Sequence, residues 1–317
     1  KKRKKIFNKN LVKKMLLEIK NSKYPIILAG GGISSSGTVE LFRKVISSLK
    51  IPVVYSLMAV DVIPYDDVYR VGLIGSYGNR WANLALSQSD LVLVLGSRLD
   101  VRQTGSQVKE FSKNKKIFHV DCDDGEINNR IKGCIEIHDD LENFLLTVLD
   151  VTNLKNLVVK KKWLQEIDSL KRSYPDHLEI SKNIGINPNK FMHLLSKKSS
   201  KAAVYVADVG QHQMWAAQSL EISKNQRFIT SGGMGAMGFG LPAAIGSAFA
   251  TNSPVVLIAG DGGFQVNIQE LQTVVQHKLP LKIVILNNKC HGMVRQFQES
   301  LFDKRYQSTL WGYSAPD

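Results

Sequence analysis

Apolar residues along the chain fall into two alternating patterns. Short, largely apolar runs occupy Tyr24–Ala29, Pro52–Ser56, Leu91–Leu95, Lys116–Val120, Ala203–Ala207, Phe228–Thr230, Val255–Ala259 and Lys282–Leu286. Between them, apolar positions recur at spacings of three and four. Examples are Leu11, Met15, Leu16 and Ile19 within residues 6–24, and Phe264, Ile268, Leu271, Val274 and Val275. The short runs predict strands buried on both faces, and the wider spacing predicts amphipathic helices. Strands alternating with helices predict an α/β fold with parallel sheets. The pattern weakens over residues 151–186, where Lys160-Lys161-Lys162-Trp163 and Ser173-Tyr174-Pro175-Asp176 frame one short helix around Trp163–Leu170. We therefore expect two doubly wound parallel-sheet domains, 1–150 and 187–317, joined by a linker over 151–186, with the second starting at a helix opened by Asn187-Pro188.

The ends of two runs carry the chemistry. Val255–Ala259 breaks into Gly260-Asp261-Gly262-Gly263, and Lys282–Leu286 breaks into Asn287-Asn288, with 24 residues between Gly262 and Asn287. Strand, helix and strand in succession form a right-handed unit whose parallel strands end on one edge of the sheet. Asp261 and Asn288 are thus expected side by side. A carboxylate and an amide oxygen are hard donors suited to Mg2+ or Ca2+, and Mg2+ fills its remaining positions with water and phosphate. The glycines let backbone N–H groups approach an anion at a helix start, where the dipole also favours negative charge. Taken singly, each turn could be a plain cap; the spacing and the matching contexts favour a clamp for a metal and a diphosphate. A second N-terminus, Val209-Gly210-Gln211-His212 after the run ending at Asp208, is placed to meet the same anion. Gly30-Gly31-Gly32 also follows a strand, but it is not G-x-G-x-x-G and no acid ends the next strand near Tyr55. Those glycines are expected to serve close strand–helix packing.

Composition narrows the class. Apolar residues make up 44% and charged residues 22% of 317 positions, as in a globular chain. No apolar run reaches the roughly 20 residues that span a bilayer. Cys122, Cys134 and Cys290 lack metal-ligand spacing and are too few for a disulfide framework, which points to a reducing, cytoplasmic compartment. The net charge of +14 is spread over groups such as 113–116, 160–162 and 197–201 with no interleaved aromatics, so neither nucleic acid nor membrane is expected as partner. The chain starts at Lys1 without Met and ends on Gly312–Asp317 without a closing helix, and is expected to be a piece of a longer protein, cut inside the second domain.

Gly260-Asp261-Gly262 followed by Asn287-Asn288 resembles the signature of thiamine-diphosphate-dependent enzymes. The runs Asp208–Trp215, Thr230–Gly246 and Gly292–Gln296 resemble the acetolactate synthase group within them, and the similarity extends from about Pro25 to the end. The resemblance implies Asp261, Asn288 and the main-chain carbonyl of Cys290 as Mg2+ ligands. It implies Gln211, His212 and the amides of Gly262 and Gly263 on the diphosphate, with Gly260, His291, Gly292 and Met293 as further cofactor contacts. Met237 is the implied wedge beneath the bent cofactor, and Gly235 lies beside its pyrimidine. From spacing alone, Met237 and Met293 read equally as core packing, and His212 and His291 as cap and turn residues. The glutamate that activates the aminopyrimidine belongs to a separate N-terminal domain in this family. No segment here resembles that domain, and neither Glu270 nor Glu299 matches it, so no catalytic residue is assigned in this chain. The resemblance implies small 2-keto acids as substrates and a homo-oligomer, dimer or tetramer.

Two departures stand out. Flavin-using members carry Gly-Met-His-Gly-Thr where this chain reads Gly75-Ser76-Tyr77-Gly78-Asn79, although Arg102 remains; this argues against FAD, which is left as an open alternative. Phe297 stands where acetolactate synthases usually have Trp, which leaves the acceptor open. The leading expectation is a lyase or transferase that decarboxylates pyruvate and joins the two-carbon unit to a second 2-keto acid. The alternatives are a sister enzyme acting on another keto acid, an acyl-CoA or a cyclic dione, and a non-catalytic cofactor-binding or assembly module. A nucleic-acid binder is a more distant one.

Overall fold

The apolar runs become the strands of two parallel sheets. The structure, a computed structural model, describes residues 9–151, 160–179 and 185–314. The chain divides into two compact units, Lys1–Glu179 and Ile180–Asp317.

The first unit holds β1 (Pro25–Ala29), β2 (Val53–Tyr55), β3 (Arg70–Leu73), β4 (Leu91–Leu95), β5 (Lys116–Asp121) and β6 (Ile135–His138), in the order β3-β2-β1-β4-β5-β6. Every neighbouring pair is parallel. All five residues of β1 and of β4 are buried, as a sheet covered on both faces requires. Ile26, Leu28, Val92 and Val94 on one face pack with Trp81, Leu86, Trp163 and Ile167. The helices Lys9–Asn21 and Val39–Leu49 pack against Leu141–Val151.

Two expectations change here. The short helix placed in the linker runs Lys161–Ser173, and its Trp163 and Ile167 are buried in the first unit's core. The Trp163 indole N–H also donates to the Pro25 carbonyl at 3.1 Å. A polar average over 151–186 hides two apolar residues four apart, which are enough to seat one helical stripe. The first unit therefore extends past 151, to Glu179. The Gly30–Gly32 turn, expected to pack on a helix, packs on another turn. A Cβ on Gly30 would lie 2.0 Å from the Gly96 carbonyl oxygen, and one on Gly32 would lie 2.8 Å from the Gly96 Cα. These two turns leave β1 and β4 where the strand order reverses.

The second unit holds β7 (Val204–Ala207), β8 (Arg227–Thr230), β9 (Val255–Gly260) and β10 (Leu281–Leu286), all parallel in the order β10-β9-β7-β8. Asn187 caps the helix Pro188–Lys198, its side chain accepting the Lys190 N–H at 3.0 Å. Leu241, Ala244, Ile245 and Ala248 of the helix Gly240–Thr251 pack on Val204, Val206, Val255 and Leu257. The single helix expected after Asp261 is broken into Asp261–Gln265, a 3-10 turn at Ile268–Glu270, and Leu271–Gln276. The breaks rotate its apolar face, so that Phe264, Leu271 and Val274 reach the core while Ile268 and Val275 are 40% and 72% exposed.

Candidate functional site

In the second sheet the chain runs from β7 to one side (β8) and then crosses to the other (β9, β10), so the strand order reverses between β7 and β9. Ligands of open α/β sheets bind in the crevice outside the carboxyl ends of the strands at such a point. A cleft opens there. It is walled by Val209–His212 after β7, by Gly260–Gly263 after β9, and by Asn288 and Cys290–Val294 after β10. Trp215, Met237 and Leu286 complete the lining.

The register brings the two polar ends together. Leu286 pairs with Gly260, so Asp261 leaves β9 one residue beyond the last pair and Asn288 leaves β10 two beyond it. Asp261 is 7% exposed. Asn288 donates its amide N–H to Gln211 Oε1 at 3.0 Å, and its Oδ1 accepts the Cys290 N–H at 3.2 Å. Lys289, between them, takes φ +55 to close that turn. Gly292 allows this approach, since a Cβ there would lie 2.1 Å from Gln211 Oε1. An amide oxygen has two lone pairs, so Asn288 keeps one for a further partner.

Gly210 opens the helix Gln211–Ser219 at φ +154, a conformation that L side chains rarely adopt. This sets Gln211 and His212 on the first turn, facing the cleft. His212 is 5% exposed, and its Nε2 has no hydrogen-bond partner among the described residues. Burial pushes its pKa down to about 4, partly opposed by the charges of Asp208 and Asp261. His212 is thus a neutral imidazole at neutral pH, with one N–H between its two ring nitrogens and a hydrogen bond to the Asp208 backbone. A buried polar atom without a partner is costly, and a hydrogen-bonding group of a bound ligand would satisfy it.

The remaining expected residues divide. His291 caps the helix Gly292–Leu301 with its backbone, and its ring stacks edge-on against Tyr313 with centroids 4.8 Å apart. Met293 lines the cleft, as does Met237, which is 39% exposed rather than packed in the core. Gly235, at φ +70, lies outside the cleft lining.

Two residues were missed by the sequence reading. Asp208, buried at the end of β7, accepts the N–H groups of Gly238 (3.2 Å) and Gly240 (3.1 Å), and so ties down the glycine-rich loop that carries Met237. Its signal was present, an acid ending a strand ahead of a run rich in unpaired glycine amides. Tyr313 donates its hydroxyl to Asp261 Oδ2 at 2.7 Å. It lies 52 positions from Asp261, in a segment without periodicity, and nothing in the sequence marks it.

Comparison with known proteins follows the same outline. The family described as "Thiamine pyrophosphate enzyme, central domain" matches residues 12–148. "Thiamine pyrophosphate enzyme, C-terminal TPP binding domain" matches residues 208–316. The chain belongs to the thiamine pyrophosphate enzyme family. It is 37% identical over 301 residues to the acetolactate synthase large subunit of Lactococcus lactis subsp. lactis (strain IL1403), covering 95% of this chain and 52% of that protein. It is 39% identical over 311 residues to the acetolactate synthase large subunit of Cyanidium caldarium, covering 96% of this chain and 52% of that protein. Against the isozyme 2 large subunit of Escherichia coli (strain K12) it is 35% identical over 286 residues, covering 90% and 51%. The chain spans about half the length of the curated relatives it matches.

The cleft lies within the part matched to the family's C-terminal TPP binding domain. In the part matched to its central domain, the departing segment Gly75–Asn79 meets the retained Arg102. Ser76 N–H donates to the Arg102 carbonyl at 2.8 Å, and a Cβ on Gly75 would lie 2.3 Å from that same oxygen. The Arg102 side chain is exposed.

Proposed function

We propose that this chain forms the central and diphosphate-binding parts of a thiamine-diphosphate- and Mg2+-dependent enzyme of the acetolactate synthase type. The enzyme decarboxylates pyruvate and condenses the two-carbon unit with a second 2-keto acid. One observation carries this reading: an acid and an amide from neighbouring parallel strands line a single cleft at the reversal point of the sheet, beside a buried, unpartnered imidazole nitrogen.

The residues present fit the cofactor's polar end. The side-chain oxygens of Asp261 and Asn288 and the carbonyl of Cys290 would hold Mg2+, a hard, oxygen-only donor set. Gln211, neutral His212 and the amides of Gly262 and Gly263 would hold the diphosphate, helped by the dipole of the helix Gln211–Ser219. Met237 and Met293 supply apolar wall to the rings, with Gly235, Gly260, His291 and Gly292 as the remaining proposed contacts. When bound, thiamine diphosphate supplies the electron sink for loss of CO2 from a 2-keto acid. This chain's residues bind and orient that group. We assign none of them to proton transfer, and place the activating glutamate on another domain of a homo-oligomer. We read the central domain as working without FAD, on the departure at Gly75–Asn79; flavin absorbance in protein purified without denaturant would contradict this. Cys122, Cys134 and Cys290 are free, which suits a cytoplasmic protein. Among the described residues no helix is long and apolar enough to cross a membrane.

The test is calorimetric titration of the intact protein with thiamine diphosphate, with and without Mg2+. Binding that requires Mg2+ and disappears in Asp261→Ala is the expected result. Binding indifferent to Mg2+, or unchanged in Asp261→Ala, would overturn the assignment.

A further inference from the structure

The contact between Tyr313 and Asp261 goes beyond what the cofactor reading needs. The phenol donates to Asp261 Oδ2, and its oxygen lies 3.0 Å from where a Cβ on Gly262 would stand. The His291 ring, stacked on Tyr313, comes within 2.4 Å of the same point. Both rings lie against Gly262, and the phenol occupies one oxygen of the neighbouring Asp261 carboxylate.

The segment that delivers Tyr313 is tied down almost to its end. His291 N–H donates to the Thr309 carbonyl at 3.1 Å, and the buried Thr309 hydroxyl donates to Gln298 Oε1. The N–H groups of Leu310 and Trp311 both reach the Tyr306 carbonyl, at 3.2 and 3.1 Å. The Tyr306 ring is held between the Arg295 guanidinium, 5.4 Å from its centroid, and Trp311, 5.8 Å away. Beyond Trp311 the Tyr313 N–H reaches only the Leu310 carbonyl among the described residues, at 3.4 Å, and Gly312 takes φ +69 with no atom within 4 Å of a built Cβ. A fixed strap, a glycine pivot and a ring follow in that order.

We propose that Tyr313 is a displaceable gate on the metal site, its phenol competing with a divalent cation for Asp261 and swinging away about Gly312 when the cation and diphosphate seat. The proposal rests on the metal–diphosphate reading given above. A phenol that donates to a carboxylate oxygen engages lone-pair density that a hard cation needs. A phenol is a neutral, protonated group at physiological pH. It blocks the carboxylate without offering the cation an anionic oxygen in return. A group that merely propped Asp261 in position would have the opposite effect on affinity, and this separates the two roles.

The experiment titrates thiamine diphosphate into the intact protein at fixed Mg2+, comparing wild type with Tyr313→Phe. Removing the hydroxyl is expected to tighten binding by roughly ten-fold or more, the equivalent of one hydrogen bond to a charged acceptor. An affinity unchanged or weakened in Tyr313→Phe overturns the gate while leaving the site assignment intact. Absence of Mg2+-dependent binding in wild type overturns the site assignment itself, and the gate with it. A second measurement needs no substitution of the phenol: 3-fluorotyrosine is placed at position 313 and followed by 19F NMR. Its resonance is expected to move to a solvent-exposed position on adding Mg2+ with thiamine diphosphate, and to stay put with thiamine diphosphate and EDTA. A resonance unmoved by the full mixture, in protein that calorimetry shows to be loaded, overturns the gate.

Discussion

His212 shows how the burial of a single residue sets a pH dependence of stability. Its pKa falls from 6.5 to about 4 on folding because burial penalises the charged ring. The unfolded chain therefore binds the proton more readily between those two values, and the folded state loses stability as pH falls through that window. The full effect is on the order of 3 kcal/mol. Thermal melts between pH 7 and pH 4 should show the loss, and His212→Gln should flatten that part of the curve. The carboxylates that oppose the shift, Asp208 and Asp261, remain in both proteins. Asp208 makes a separate case. Each of its oxygens accepts one glycine N–H, so Asp208→Asn leaves one of these amides facing an N–H2 group. Denaturant unfolding should register a loss of about 1–3 kcal/mol. No loss would mean that the glycine-rich loop is held by other contacts.

At the scale of elements, the two sheets differ in how openly the sequence announces them. β4 and β9 are unbroken aliphatic runs and could be read directly, because a strand covered on both faces has no polar side to interrupt it. β3 and β6 were not recognised. They are four residues each, and Arg70, Glu136 and His138 break their apolar character. The helix after Asp261 was legible as a helix but not as three pieces, since its apolar spacing continues across breaks set by tertiary packing. The candidate site followed the same division. Asp261 and Asn288 were legible because parallel connectivity alone fixes which strand ends meet. Tyr313 was not, because a loop's path depends on contacts such as Thr309 to Gln298 that no periodicity encodes. The Gly30 turn gives a prediction at this scale. A Cβ at that position would meet main-chain atoms of Gly96, which cannot rotate away. Gly30→Ala should therefore destabilise the first unit by roughly 1–3 kcal/mol. Gly246→Ala, at a helical position where nothing lies within 4 Å of a built Cβ, is the control for open space. Equal melting temperatures for Gly30→Ala and wild type would refute the close approach.

Across the whole molecule, both units use parallel sheets whose order reverses once, but the two reversal points are put to different use. In the first, glycine turns from β1 and β4 lie against each other. In the second, side chains enter between the turns, and polar groups from three of them line one cleft. The account places cofactor binding in the second unit and depends on one ion being shared by two strand ends. Mn2+ replaces Mg2+ in such oxygen sites and can be located by anomalous diffraction. The decisive measurement is a crystal structure of the intact protein with Mn2+ and thiamine diphosphate. The account requires one anomalous peak in contact with Asp261, Asn288 and the Cys290 carbonyl at once. A peak touching Asp261 but not Asn288, or one lying away from this cleft, would contradict it.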